Sequence, residues 1–173
     1  NTDVTGFCNS LAGVGVTSVA SAILVGAGAT ARSALAALRQ LGLRELLVLA
    51  RDEARAMSSL QPIAARAQID LRWRSLEAVD ELPTVDLVVS TVPTNLPPAL
   101  ARELVSASST IFEAVYNYYP SNLDQAAQAA GKPALNGMHL LVYQALDQIE
   151  LMTGHRPAAE PLLDAGLHVL FNR

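Results

Sequence analysis

The chain has 173 residues, 51% of them hydrophobic and 16% charged, and its formal net charge is −4 at pH 7. This length suffices for one domain with a full hydrophobic core, and the acidic balance does not favour nucleic acid as a partner. The sequence shows no apolar run near the ~20 residues that a membrane-spanning helix needs and no signal peptide. Its single cysteine, Cys8, excludes an intrachain disulfide and a cysteine-based zinc site. We therefore expect a cytoplasmic protein without nucleic-acid or membrane partners.

Strands and helices alternate along the chain. Apolar or alternating runs predict strands at residues 22–25, 45–50, 69–73, 85–89, 110–115 and 132–135, the third of them nearer a sheet edge. Helical patterns occupy residues 4–12, 29–40, 52–67, 97–105, 121–130, 138–152 and 160–171, with a short helix or turn at 75–81. Pro62 is expected to kink or split its helix. The alternation predicts βαβ units and therefore a single α/β domain with a doubly wound, Rossmann-like parallel sheet.

The first predicted strand passes through a glycine turn directly into a helix. Gly26, Gly28 and Ala31 form a G-x-G-x-x-A pattern at this junction. Gly26 allows a tight turn, and Gly28 allows backbone N–H groups to approach a pyrophosphate at the helix N-terminus. Such a pattern is weak alone, but the flanking strand and helix favour a dinucleotide-binding loop over an ordinary connection that carries two glycines.

Two arginines follow the second strand, where an NAD-specific site has an acidic residue. Arg51 comes directly after this strand, and Arg55 lies one helical turn later, so both guanidinium groups can reach one point. Because arginine binds phosphate bidentately, the pair favours NADP over NAD. The alternative is a solvated helix face. Asp52 is an acid in the same place, but an N-cap is its simpler role.

The remaining candidates lie at the carboxyl ends of strands four and five and on the long helix. Thr91 and Val92 belong to the loop after strand four, which should lie beside the glycine loop at the switch point of the sheet. Tyr116 follows strand five, and its phenol is either a hydrogen-bond donor in the site or a packing group. Gly137 can admit a close backbone, and Gln144 lies near the edge of an apolar stripe that includes Leu141.

The three histidines do not have the spacing of metal ligands. His139, His155 and His168 stand far apart in sequence, so each is expected to be solvated or satisfied locally, and we expect no metal site.

Six segments, in order, resemble the C-terminal part of shikimate dehydrogenases. The family's segments N-T-D-x-x-G-F, G-A-G-G-A-x-R, N-R-T-x-x-R, A-T-S/P, V-Y-x-P-x-x-T-P-L and G-x-x-M-L-V-x-Q-A are matched in this chain at residues 1–7, 26–32, 50–55, 90–93, 115–123 and 137–145. Each motif alone is weak, whereas the ordered set covers nearly the whole chain.

The resemblance implies an NADP-dependent oxidoreductase that reduces 3-dehydroshikimate to shikimate in aromatic amino-acid biosynthesis. It assigns a catalytic and substrate-binding role to Asp3, which in the family pairs with a lysine of an N-terminal substrate domain. It assigns substrate contacts to Tyr116 and Gln144. The cofactor-binding residues that it implies are Gly26, Ala27, Gly28, Ala29, Ala50, Arg51, Arg55, Thr91, Val92, Ala114 and Gly137.

The chain also departs from the family pattern. Ala50 and Asp52 replace the asparagine and threonine that flank the motif's first arginine, and the negative charge of Asp52 could weaken the preference for NADP. Residues 1–15 are predicted to link from a substrate domain outside this chain, and residues 16–173 to form the NADP-binding domain. The chain alone is therefore expected to bind cofactor without turnover.

Three alternatives stay open from the sequence. One is a quinate/shikimate dehydrogenase paralogue, which differs in cofactor and substrate. Another is a non-catalytic nucleotide-binding module, in which Asp3, Tyr116 and Gln144 would be incidental. The third concerns assembly: a domain without its partner domain exposes apolar surface, so a homodimer is a candidate.

Overall fold

The computed structural model describes residues 1–77 and 81–171. The helices are α1 (Thr2–Gly13), α2 (Ala29–Gln40), α3 (Glu53–Arg66), α4 (Pro98–Ser106), α5 (Asn122–Ala129), α6 (Gly137–Thr153) and α7 (Ala159–Phe171). The strands are β1 (Ser21–Val25), β2 (Glu45–Ala50), β3 (Asp70–Ser75), β4 (Val85–Ser90), β5 (Ser108–Glu113) and β6 (Ala134–Leu135). The predicted order of elements is confirmed. Part of the predicted turn at 75–81 lies outside the described residues.

All six strands of the described sheet are parallel, in the order β3-β2-β1-β4-β5-β6. The chain starts in the middle, builds outwards to β3, and then returns to the other side of β1. The switch point therefore lies between β1 and β4, where Val25 pairs with Ser90. Because the strands are parallel, their carboxyl ends meet at one edge, and a ligand is expected there. The fold class is confirmed, and β3 is an edge strand as predicted.

Helices cover both faces of the sheet. Successive residues of β1 alternate between two cores: Leu24 packs with α1, α2 and α3, whereas Ile23 and Val25 pack with α4 and α5. The central strands are buried on both sides for this reason, which explains their continuous apolar sequence. The rings of Phe7 and Phe112, with centroids 4.8 Å apart, join α1 to β5. Helix α1 thus packs into the same core as the sheet, while the predicted domain division at residue 15 stays a prediction.

Several local predictions were wrong. The predicted split at Pro62 is wrong, because α3 continues through it, while a kink there stays a prediction. Pro62 and Ser58 are both exposed, so water can reach the Ser58 carbonyl that loses its helical hydrogen bond. On α6 the buried position belongs to Leu140, and Leu141 is 39% exposed. The last strand has only two residues, because Pro133 before it cannot donate to the ladder.

Strand β5 is shorter than predicted at its carboxyl end. It ends at Glu113 rather than at residue 115. The backbone then turns towards the first residue of α6, where the carbonyl of Ala114 lies against Gly137.

Candidate functional site

The glycine turn after β1 can be occupied only by a residue without a side chain. Gly26 has φ +103°, in the region that L-residues rarely adopt. A Cβ atom there would lie 2.5 Å from Thr91 Oγ1 and 3.2 Å from Val92 Cγ1. Thr91 cannot easily move, because its N–H and its hydroxyl both donate to the carbonyl of Val25, at 2.9 and 3.0 Å. The turn is therefore tight, as predicted from its sequence.

The N-terminus of α2 opens towards solvent at this turn. Its N-cap residue, Gly28, makes no side-chain hydrogen bond to the helix, and a Cβ there would meet nothing within 4 Å. The first N–H groups of a helix have no partner within the helix, and they carry partial positive charge. Ala31, one turn along, is fully buried against the sheet, which brings the helix close to it. This arrangement suits the phosphate of a ligand.

A cleft of about 320 Å³ lies at the carboxyl ends of β1, β2 and β4. It brings together most of the predicted cofactor-binding residues, namely Gly26, Ala27, Gly28, Ala50, Arg51, Arg55, Thr91 and Val92. Ala29 is the first residue of α2 and continues the glycine turn. Four further residues complete the lining: Leu49, Asp52, Leu76 and Pro93. Residues far apart in sequence thus converge on one surface.

The cleft has two positive side chains at its outer end. Arg51 and Arg55 are exposed, and within residues 1–77 and 81–171 neither guanidinium group forms an ion pair. Asp52 lies between them and is the N-cap of α3, as predicted: its Oδ1 accepts from the N–H of Arg55 at 3.0 Å. Two arginines without an anionic partner, beside a helix N-terminus, can bind a phosphate group bidentately.

Ala114, Tyr116 and Gly137 form a second group, next along the same edge of the sheet. A Cβ on Gly137 would lie 2.7 Å from the carbonyl oxygen of Ala114 and 2.8 Å from Tyr116 Cδ1. The loop after β5 therefore rests directly on the start of α6, which requires glycine. The structure brings these three predicted residues together, outside the lining of the cleft.

Asp3 of α1 and Gln144, farther along α6, lie on two helices that pack against each other. Gly6, one turn after Asp3, faces Gln144, because a Cβ on Gly6 would lie 3.2 Å from Gln144 Cβ. The half-buried carboxylate of Asp3 accepts a hydrogen bond from Ser33 Oγ of α2 at 3.4 Å. Gly137, under Tyr116, lies two helical turns before Gln144, about 10 Å along the axis of α6.

A cluster of acidic side chains that the sequence analysis does not predict lies beneath the loop between β5 and α5. Glu113 is 2% exposed and accepts a hydrogen bond of 2.5 Å from Ser121 Oγ. Burial, with the nearby charge of Asp124 adding to it, raises the pKa of Glu113 to about 7. Burial also raises the pKa of Asp124. A carboxylate at the end of an apolar strand was the available signal in the sequence, since an acid is seldom buried without a partner.

The histidines give no further site. Burial lowers the pKa of His139, and its Nδ1 accepts from the N–H of Asn136 at 3.2 Å, so it is satisfied locally as expected. Among the described residues, no group of three or more His, Cys, Asp or Glu could hold a metal ion. In the same part of the chain, no helix is both long and apolar enough to cross a membrane.

Comparisons with known proteins find relatives over nearly the whole chain. The shikimate dehydrogenase (NADP(+)) of Afipia carboxidovorans is 31% identical over 171 residues, which cover 95% of this chain and 61% of that protein. The crystal structure of a shikimate 5-dehydrogenase from Mycobacterium fortuitum matches with a TM-score of 0.81 and 32% identity, over 96% of this chain and 60% of that chain. No protein-family model matches the chain.

A second similar structure is that of a quinate dehydrogenase. The quinate dehydrogenase from Corynebacterium glutamicum, in complex with NAD, matches with a TM-score of 0.81 and 26% identity, over 97% of this chain and 62% of that chain. The chain thus spans about three fifths of the length of the proteins that it matches.

Proposed function

The chain belongs to the shikimate dehydrogenase family, and from this premise we propose that it forms the NADP-binding part of an enzyme that reduces 3-dehydroshikimate to shikimate. The single observation that carries the proposal is the cleft. It joins a glycine turn at a helix N-terminus to two arginines without ion-pair partners in the described chain. Such a surface has donors for a pyrophosphate and, one strand away, for a third phosphate group.

The residues present fit this cofactor. The N–H groups at the start of α2 and the backbone of Gly26 and Gly28 would hold the pyrophosphate. Arg51 and Arg55 would bind the 2′-phosphate of the adenosine ribose. The family resemblance implies that Ala114 and Gly137 would border the nicotinamide, and their backbones lie in contact at the next strand end. The cofactor supplies the hydride when it is bound, and the protein supplies position and proton transfer.

Three side chains would act on the substrate. Asp3 would hold a substrate hydroxyl and take part in proton transfer, with its orientation set by Ser33. Tyr116 and Gln144 would donate to the substrate from the cofactor side. In the family a lysine from a substrate domain completes this network, and the only lysine here is Lys132. Since Lys132 donates to the carbonyls of Val105 and Ser108, at 2.6 and 2.5 Å, it would not replace that lysine.

Binding of the two reduced cofactors by this chain tests the proposal. We expect NADPH to bind more tightly than NADH, and Arg51→Ala to weaken NADPH by about 1.5–3 kcal/mol, the scale of a charged hydrogen bond. NADH should change little. Arg66→Ala, at the opposite end of α3, is the matched control because it also removes an exposed arginine. Equal affinity for both cofactors, unchanged by Arg51→Ala, would remove the phosphate-binding role.

Turnover is tested on the same material. We expect no oxidation of shikimate by the 173-residue chain, even with saturating NADP, because the base and part of the substrate pocket would come from outside it. Measured dehydrogenase activity of this chain would contradict that expectation.

A second candidate is a quinate dehydrogenase that uses NAD. Asp52 favours it, because it lines the same cleft as the two arginines and its carboxylate would repel a 2′-phosphate. The similarity to the NAD-bound quinate dehydrogenase also supports this second candidate. Tighter binding of NADH than of NADPH would favour this candidate over the first.

A further inference from the structure

We propose that Glu113, Ser121 and Asp124, the buried acid cluster, position the nicotinamide end of the site through the loop at residues 114–120, the rim loop. The inference rests on the proposed function, since it names residues that act on the same site without touching its ligand. Glu113 is therefore a positioning residue. Its carboxylate faces the core between the sheet and α5, on the side where Ile111, two residues earlier, is buried.

The cluster closes the base of the rim loop. Glu113 ends β5, Ser121 is the N-cap of α5, and the hydrogen bond between them joins the two ends of the seven-residue loop. Ser121 is in turn fixed by a capping box: the N–H of Asp124 donates to Ser121 Oγ at 3.0 Å, and the N–H of Ser121 donates to Asp124 Oδ2 at 3.2 Å. Both Glu113 and Ser121 are 2% exposed. A buried bond of this kind is costly to break, because its groups would lose their partners away from water.

The rim loop passes this constraint to the site. Its first residue, Ala114, donates a hydrogen bond from its N–H to the carbonyl of Ser90 at 2.8 Å. The carbonyl oxygen of Ala114 contacts Gly137. Tyr116 covers the same glycine. The position of both residues thus depends on where the two ends of the loop are held. A loop that is held only at one end would leave the nicotinamide and substrate contacts unfixed.

The same helix terminus also holds the loop after β4. The N–H of Asn122 donates to Asn95 Oδ1 at 2.9 Å, and its side-chain amide donates to the carbonyl of Leu96 at 2.8 Å. Ser90, the pairing partner of Glu113 in β4, has a fully buried hydroxyl with no hydrogen-bond partner in the described chain. The polar groups beneath both loops therefore converge on the end of β5, and none of them lines the cleft that would hold the phosphates.

The test separates the two ends of the cofactor. NADPH would occupy both ends, whereas 2′,5′-ADP carries the adenosine and the 2′-phosphate but no nicotinamide. We expect Glu113→Ala and Ser121→Ala to lower the affinity for NADPH about tenfold. The affinity for 2′,5′-ADP should change less than about twofold. Glu113→Gln should bind both ligands like the wild type, because its amide oxygen still accepts from Ser121. Calorimetric titration of the chain measures both affinities.

A matched control distinguishes positioning from stability. Ser108→Ala removes another buried hydroxyl from the same strand, at its opposite end, where Ser108 Oγ donates to the carbonyl of Leu104 at 2.9 Å. It should lower the melting temperature without changing the ratio of the two affinities. If Glu113→Ala does not fold, Ser121→Ala carries the test, since it deletes one oxygen atom only.

The outcomes are distinct. Failure of the wild type to bind either ligand contradicts the proposed function. A wild type that binds both ligands, with folded alanine variants that weaken both equally or neither, overturns the positioning role alone. A Glu113→Gln variant that behaves like Glu113→Ala overturns it as well.

Discussion

The cleft and the rim loop differ in how their polar side chains are satisfied. In the cleft, Arg51 and Arg55 are exposed, and neither has an ion-pair partner among the described residues. Beneath the rim loop, Glu113 and Ser121 are buried and bound to each other. The first region offers unsatisfied donors, so it can supply affinity. In the second, Glu113 and Ser121 are hydrogen-bonded to each other, so they can supply geometry but little direct binding. Variants in the cleft should therefore change affinity directly, whereas those beneath the rim loop should change stability and, through the position of the loop, the binding of the nicotinamide end.

The largest expected effect is a loss of NADPH affinity caused by a substitution in the cleft. Gly26→Ala would force a side chain into a left-handed turn and against Thr91 Oγ1, so we expect NADPH affinity to fall by about 3 kcal/mol or more, the upper range for local strain. Titration of the folded variant measures it.

Gly42→Ala is the matched control for Gly26→Ala. Gly42 has φ +93°, but a Cβ there would meet nothing within 4 Å. It should lose about 1 kcal/mol of stability from backbone strain and keep its affinity. If both variants bound NADPH alike, the glycine turn would have no part in binding.

The next effect concerns stability beneath the rim loop. Because the pKa of Glu113 is raised to about 7 from an ordinary value of 4.5, the folded state favours its protonated form. The contribution of protonated Glu113 to the free energy of unfolding is fully present below pH 4.5 and is lost as the pH rises through 7. The free energy of unfolding should fall between about pH 5 and 8, by up to about 3 kcal/mol. Urea denaturation at several pH values measures it.

Glu113→Gln isolates this contribution. The raised pKa of Asp124 acts in the same direction, whereas the lowered pKa of His139 acts in the opposite one. The glutamine variant keeps both groups and removes only the titration at position 113. Its stability should be flatter across the same range. A pH dependence identical to that of the wild type would show that Glu113 does not carry a proton in the folded state.

The two regions also differ in how well the sequence predicts them. The cleft follows from local signals: a strand before Gly26, a helix after Gly28, and arginines at helical spacing. The buried acid cluster depends on Glu113 and Ser121 meeting across the ends of a loop. No periodicity encodes that contact. The sequence pattern also predicts the end of β5 two residues too late, because an apolar run continues past Glu113 while the backbone turns towards Gly137. The carboxylate within the run was the one visible sign.

The smallest expected effect is a gain in NADPH affinity when the negative charge of Asp52 is removed from the cleft. Asp52 lines the cleft together with the two arginines, and its carboxylate accepts a hydrogen bond from the N–H of Arg55. Asp52→Asn would keep the N-cap and remove the charge, so NADPH should bind about 0.5–1 kcal/mol more tightly while NADH changes little. Glu53→Gln is the control, since it removes an exposed charge from the same helical turn without lining the cleft. The gain should disappear at high salt, because exposed charges are screened. A gain of equal size for both cofactors would mean that Asp52 acts on the pyrophosphate or on α3 rather than on the 2′-phosphate.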